Sequence, residues 1–334
     1  MAERRILFLP PVKLAKVILS ERAREILEDL GEVIWNDSDR DYTQEELANL
    51  LPDAEAVVTS WGSPSFTSEL LEKAPKLRIV GHAAGSVKHL MPKEGYDRGI
   101  IVLSSASVIA DPVAEYTLWA MLHMQRNLAC CEKVMKEERG WRWCNEGTSH
   151  ELFFKRVGLV SASMVGRRVI ELLRPFHCDV MVYDPYLGEE EAAALGVRKV
   201  SLLELFATSD IVSVHAPTTP ETHRMIGAEH FKAMREGALF INTARSWVVD
   251  QTAMVEELRT GRIRAVIDVF DQEPLPPGDP LRTMDNVFLT PHIAGYTVEA
   301  RLRQVEAIAE DMARFFAGKS PHLAVSWDRL RIMA

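Results

Sequence analysis

Residues 157–184, VGLVSASMVGRRVIELLRPFHCDVMVYD, constrain the fold of this chain more than any other stretch. A short apolar run (Val157 to Val160), a turn of small residues (Ser161, Ala162, Ser163), apolar residues at helical spacing (Val165, Val169, Leu172, Leu173) and a second apolar run ending in Asp184 spell a β-turn-α-β unit. In such a unit the turn and the helix N-terminus aim backbone N–H groups at a pyrophosphate. An acidic residue closing the second strand accepts hydrogen bonds from the adenosine ribose. Asp184 stands 18 residues beyond Gly166, close to the spacing of about 20 for that role. A carboxylate there repels a 2′-phosphate, which favours NAD over NADP.

The turn departs from the usual pattern. Where a dinucleotide fingerprint has G-x-G-x-x-G, this chain reads Ser161-Ala162-Ser163-Met164-Val165-Gly166 and keeps only the third glycine, the one needed for close helix-strand packing. Ser161 must make the tight turn with a Cβ. Ser163 places a side chain where the pyrophosphate approaches, and its hydroxyl either donates to a phosphate or crowds it. Taken alone, the stretch leaves open both a dinucleotide site and a plain packed βαβ unit.

At 334 residues the chain suits two domains rather than one core. A hydrophobic fraction of 47% with 26% charged residues is ordinary for a soluble globular protein. The net charge of -9 argues against nucleic acid or an anionic membrane as the main partner, and means that a small anionic substrate needs a local positive group. No run approaches the roughly 18 apolar residues of a spanning helix. The stretch Arg4 to Pro10 is too short for a signal sequence, so a cytoplasmic location is expected. Cys130, Cys131, Cys144 and Cys178 include no C-x-x-C, and are read as free packing thiols with no metal site.

From the start, strand-like runs alternate with helical patterns. The expected strands are Ile6 to Leu9, Val33 to Trp35, Ala56 to Thr59, Leu77 to Gly81 and Ile100 to Leu103. Between them fall a helix opened by Ser20 and closed by Gly31, one with Thr43 and Glu46 as a capping box, and one through Leu70 and Leu71. This is a flavodoxin-like parallel sheet. A long helix is expected from Pro112 to about Arg139, followed by Trp141 and Trp143, which pack a subunit interface or line a pocket. After the βαβ unit, Ser201 and Glu204 cap a short helix, and Asp250 caps another stopped by Gly261. Strands are expected at Ile211 to Val214, Leu239 to Thr243, Ala265 to Phe270 and Val287 to Thr290, and a last helix from about Val298 to Gly318. The class is α/β with two doubly wound parallel-sheet domains. A Rossmann domain over 106–297 is inserted into a substrate domain built from 1–105 and 298–334, with hinges near Ser105 and Val298.

Ligands of doubly wound sheets bind beyond the carboxyl ends of the strands. The polar residues expected there are Asp184, His215, Arg245, Asp268 with Glu273 just after it, and His292. His292 follows Pro291 with a small-residue turn behind it, which suits an imidazole held out into a cleft. Glu273 can accept its second ring N–H, fixing the tautomer so that the ring delivers a proton near neutral pH. Arg245 supplies a planar cation able to grip a carboxylate and polarise the adjacent carbonyl. Asp268 would receive a nicotinamide carboxamide.

The segments VHAPTTPETHRMI (214–226), NTARSWVVD (242–250), AVIDVFDQEP (265–274) and NVFLTPHIAG (286–295) resemble, in joint order and spacing, the D-isomer-specific 2-hydroxyacid dehydrogenase family. The resemblance implies that Arg245, Glu273 and His292 are the catalytic three and that Asp268 orients the nicotinamide ring. It places Met164, Val165, Asp184, Ala216, Thr222, Thr243 and Ala244 on NAD contacts. Ser163, His215, His292 and Gly295 complete the cofactor-binding set. It also implies a turn at Gly85, Ser86 and Val87 that binds the substrate carboxylate, and a homodimer through the helix near Pro112. Lys88 departs from the Asp or Asn usual after that turn, and Ser161, Ser163 and Ser246 replace family glycines. The expected function is NAD-dependent interconversion of a 2-oxo acid and a D-2-hydroxy acid. The alternatives are an NAD(H)-sensing regulatory protein of the same fold and an inactive scaffold.

Overall fold

The computed structural model describes residues 4–141, 147–330 and 333; Trp143 and Cys144 lie outside them. The chain divides into two compact units, one of residues 1–109 with 296–334 and the other of residues 110–295.

The first unit holds strands β1 (Arg5–Phe8), β2 (Glu32–Trp35), β3 (Ala54–Thr59), β4 (Ile79–His82) and β5 (Ile101–Ser104). They pair in parallel in the order β2-β1-β3-β4-β5. Helices cover both faces, so its inner strands are nearly continuous apolar runs. Ile6, Phe8, Ile79 and Leu103 pack with Val305, Ile308 and Met312 of the helix Val298–Phe316 on one face. Leu7, Val57, Val80 and Val102 form the core of the other. Gly81 allows the helix to lie this close, since a Cβ there would stand 2.2 Å from Ile308 Cγ2. The expected caps are present: Ser20 accepts from Ala23 N, and Thr43 and Glu46 complete a capping box.

The second unit carries β6 (Arg156–Val160), β7 (Asp179–Tyr183), β8 (Arg198–Lys199), β9 (Ile211–Val214), β10 (Leu239–Asn242), β11 (Arg264–Ile267) and β12 (Val287–Leu289). Their order is β12-β11-β10-β9-β6-β7-β8, again all parallel. The strand order reverses at β6, with β7 on one side and β9 on the other. Such a reversal opens a crevice above the carboxyl ends of the strands.

Two expected elements change. The helix placed from Pro112 to Arg139 is two helices, Ala106–Gln125 and Leu128–Lys136. The first runs through Pro112 at the loss of one backbone bond, and the break falls at Asn127, whose φ of 50° is the left-handed conformation that asparagine tolerates. The strand expected over Ala265–Phe270 stops at Ile267: the Asp268 N–H still donates to the Asn242 carbonyl at 3.1 Å, while its side chain accepts from the N–H groups of Ile293 and Ala294. The two-residue β8 and the helix Glu189–Leu195 were not anticipated.

Gly166 lies in the helix Met164–Leu173, where a Cβ would stand 2.2 Å from the Ser161 carbonyl oxygen. Backbone rather than a flexible side chain is the obstacle. Gly166→Ala is therefore expected to cost about 1–3 kcal/mol as overpacking and to lower the Tm of this unit by several degrees. A thermal melt matching the parent chain would contradict that packing.

Candidate active site

Because every strand of the second unit is parallel, the residues that follow the strands emerge along one edge. Ser161 follows β6, Asp184 β7, His215 β9, Thr243 β10, Asp268 β11 and Thr290 β12.

His292 sits two residues beyond Thr290 in a tight turn, its N–H bonded to the Thr290 carbonyl at 3.1 Å and its φ at 56°. Its Nδ1 is 2.8 Å from Glu273 Oε2, and the pair is open to solvent. Glu273 is fixed in turn by the Phe270 N–H, which donates to Oε1 at 3.0 Å. Partial burial raises the Glu273 pKa. The hydrogen bonds from His292 and Phe270, with the charges of His292 and Arg245, outweigh it and hold the carboxyl below its ordinary value. A carboxylate on Nδ1 makes that nitrogen the donor and leaves Nε2 as the atom that exchanges a proton.

Asp268 is 1% exposed and binds the same turn. Its Oδ1 accepts from Thr290 Oγ1 at 2.6 Å and Ile293 N at 2.8 Å, and its Oδ2 from Ala294 N at 2.9 Å. Tyr116 Oη lies 2.6 Å from Thr290 Oγ1. The single Thr290 hydroxyl proton goes to Asp268, so Tyr116 donates to Thr290. Neither Thr290 nor Tyr116 stood out in the sequence, because nothing in a local pattern pairs residues so far apart.

Arg245 follows β10 by three residues and is half-buried. Its Nη1 donates to the Ala244 carbonyl at 2.6 Å. Burial lowers its pKa and the charge of Glu273 opposes that shift, which places the two side chains within electrostatic reach. Asn242 shapes the loop, accepting from Ala244 N at 3.1 Å and donating to the Arg245 carbonyl at 3.2 Å. Ser246 opens a short 3-10 turn, Ser246–Val248. Thr243 bonds Thr117, Thr222 bonds the Pro217 carbonyl, and Trp247 Nε1 donates to the Thr219 carbonyl.

At the β6 end Ser161 takes the positive φ, 85°, that the first fingerprint glycine usually supplies. Its hydroxyl donates to Asp184 Oδ2 at 3.0 Å, beside the Ala162 N–H at 2.9 Å, and the Tyr186 N–H donates to Oδ1 at 2.8 Å. Ser163 is the N-cap of the helix Met164–Leu173, accepting from Gly166 N at 3.3 Å. Met164 is exposed at the first helical position and Val165 is half-buried beside it. A turn at the point of strand reversal, a ten-residue helix starting there and a carboxylate closing the next strand form the cradle a dinucleotide needs. The residues present fit NAD. Ala216 is buried and Gly295 partly so. His215 turns its ring inward, 5% exposed, with Nε2 3.0 Å from Ser213 Oγ.

In the first unit the turn after β4 carries Gly85, half-buried, Ser86, exposed, and Val87, buried. The Lys88 N–H reaches Ser86 Oγ at 3.4 Å. His82, the last residue of β4, bonds Thr59 Oγ1 through Nδ1 at 2.8 Å, and burial pushes its pKa down to about 4.

Burial pushes the His215 pKa down to about 3. In the unfolded chain a histidine takes its proton near 6.5, so between these values the unfolded state binds more protons. The stability contributed by neutral, buried His215 is complete above 6.5 and is lost as the pH falls toward 3. His215→Gln is expected to flatten the decline of Tm between pH 6.5 and 4; parallel declines in both proteins would contradict the assignment.

Residues 118–294 match the family model of the D-isomer specific 2-hydroxyacid dehydrogenase NAD binding domain. A D-3-phosphoglycerate dehydrogenase of Methanocaldococcus jannaschii is 34% identical over 303 residues, covering 90% of this chain and 56% of that relative. The chain thus spans little more than half the length of that protein. A glyoxylate reductase of Korarchaeum cryptofilum is 31% identical over 319 residues, covering 94% of this chain and 95% of the relative. The crystal structure of a phosphoglycerate oxidoreductase from Rhizobium etli superposes with a TM-score of 0.81 at 26% identity, over 96% of this chain and 98% of that one. On the strength of the matched domain and of relatives covered along most of this sequence, the chain belongs to the D-isomer-specific 2-hydroxyacid dehydrogenase family, with NAD as its cofactor.

Proposed function

We propose that this protein interconverts a 2-oxo acid and a D-2-hydroxy acid by hydride transfer, with His292 as proton donor and acceptor. The observation that supports this most directly is the 2.8 Å bond between His292 Nδ1 and Glu273 Oε2, on a turn fixed by buried Asp268. Bound NADH or NAD supplies or takes up the hydride. Arg245 grips the substrate carboxylate and polarises the carbonyl that becomes the alcohol. In reduction His292 Nε2 gives its proton to the carbonyl oxygen, and in oxidation it removes the hydroxyl proton. Glu273 keeps the ring in one orientation and offsets the imidazolium charge. Asp184 and Ser163 serve the adenosine and pyrophosphate ends of the cofactor, with Met164, Val165, Ala216, Thr222, Thr243, Ala244 and Gly295 along its course.

The names of the relatives make glyoxylate and a phosphorylated three-carbon acid the first substrates to screen. The same reading takes the chain as a cytoplasmic homodimer through the helix Ala106–Gln125, where Trp119 and Leu122 remain exposed in a single copy. No helix among the described residues is long and apolar enough to cross a membrane.

His292→Asn is expected to lower turnover by about 10²–10⁴-fold in both directions, while a fluorescence titration with NADH still saturates. Full turnover in the variant would remove His292 from the mechanism. Reduction needs the protonated ring and oxidation the neutral one, so the optimum for reduction lies at the lower pH. Glu273, held below its ordinary value, keeps its charge across that range, and the separation of the two profiles reports the imidazole. Coincident profiles would count against it.

A further inference from the structure

We propose that Ser161 sets the affinity of the dinucleotide site by occupying an acceptor position on Asp184 that a ribose hydroxyl would otherwise take. The inference rests on the assignment of Asp184 to the adenosine ribose and concerns a residue at which this chain departs from the glycine of the fingerprint.

A carboxylate offers about four acceptor positions. On Asp184, Oδ2 receives the Ser161 hydroxyl at 3.0 Å and the Ala162 N–H at 2.9 Å, and Oδ1 receives the Tyr186 N–H at 2.8 Å. One position is left, on Oδ1, whereas the two vicinal hydroxyls of a ribose present two donors. Backbone N–H groups hold two of the filled positions and cannot withdraw without unmaking the turn. The Ser161 hydroxyl is the one donor supplied by a side chain. Ser161 and Asp184 are each only 9% exposed, so little water competes for their bond. The bond also bears on the backbone: a residue with a Cβ at a φ of 85° is strained, and the hydroxyl bond offsets part of that cost. Serine at 161 is thus paired with Asp184. A second ribose hydroxyl reaches Asp184 only by displacing it.

The test is a fluorescence titration of the full chain and of Ser161→Gly and Ser161→Ala with NADH and with NADPH. Removing the hydroxyl is expected to lower the Kd for NADH about tenfold, the scale of one hydrogen bond to a charged group. Both variants should show it, because both lose the hydroxyl. NADPH, whose 2′-phosphate replaces one of the two donors, should gain less, so selectivity for NADH rises. Glycine suits the positive φ and safeguards the result should the alanine variant fold poorly. An NADH Kd unchanged or raised in Ser161→Gly would overturn the proposal. So would tightening in Ser161→Gly alone with alanine folded, since the Cβ rather than the hydroxyl would then be responsible. If the parent chain saturates and the variants match it, only the role of Ser161 falls. If neither parent nor variants bind NADH, the ribose assignment falls with it.

Discussion

The carboxylate of Asp268 is the fixed point of the carboxyl edge of the second sheet. An isolated charge at 1% exposure would be costly, and it is tolerated because three donors converge on it: the Thr290 hydroxyl and the Ile293 and Ala294 N–H groups. All three flank His292 in sequence, so satisfying the buried carboxylate also dictates the path of the turn. That path forces His292 to a φ of 56°, a conformation a non-glycine residue holds only when its surroundings over-determine it. Tyr116 extends the arrangement to the helix Ala106–Gln125 by donating to Thr290, and burial pushes the phenol up to about 12, which keeps that proton in place throughout the neutral range. The direction of the imidazole is thereby a property of the core rather than of the loop.

The altered fingerprint shows which of its glycines answers to an unavoidable steric limit. The third does, since a Cβ at Gly166 would collide with a backbone carbonyl. The first answers to a conformational preference: the turn does require positive φ, and Ser161 accepts it at a cost of order 1 kcal/mol offset by its bond to Asp184. The second keeps backbone close to a ligand, and Ser163 fills that place with an N-cap hydroxyl that satisfies one of the free N–H groups of the helix. Two of the three positions can therefore change chemistry while the fold stays.

Much of this was legible in the sequence because parallel strands covered on both faces must be apolar throughout. Ile211–Val214 and the capped helix after Ser20 follow directly from that pattern and from capping chemistry. The strand through Ala265–Phe270 misled because Val269 and Phe270 are buried like strand residues, although the pairing ends beside Asp268. At Asn127 the only local mark of a break was asparagine's tolerance of the left-handed conformation, within an otherwise helical run. The Glu273 and His292 pair was readable from the chemistry expected at strand ends. The Ser161 bond to Asp184 and the Tyr116 bond to Thr290 were not, since each joins residues that only the folded sheet brings together.

Charge decides how such an edge can attract its ligands. A chain with a net charge of -9 repels both a pyrophosphate and a small carboxylate at long range, so capture depends on fields that act within a Debye length, about 8–10 Å. Two sources of positive potential lie at the carboxyl edge of the second sheet. One is the N-terminus of the helix Met164–Leu173, whose first turn holds no acidic side chain. The other is the Arg245 guanidinium, anchored at one end by the Ala244 carbonyl. Glu273 is close enough for each charge to shift the other's pKa, yet the hydrogen bonds of its two oxygens go to His292 and the Phe270 N–H. Arg245 makes no tight ion pair with Glu273 among the described residues. A guanidinium already neutralised by such a pair would have to break it before receiving a substrate carboxylate. Glu273 thus orients the histidine proposed for acid-base work and leaves Arg245, proposed to bind the substrate carboxylate, without a tight partner.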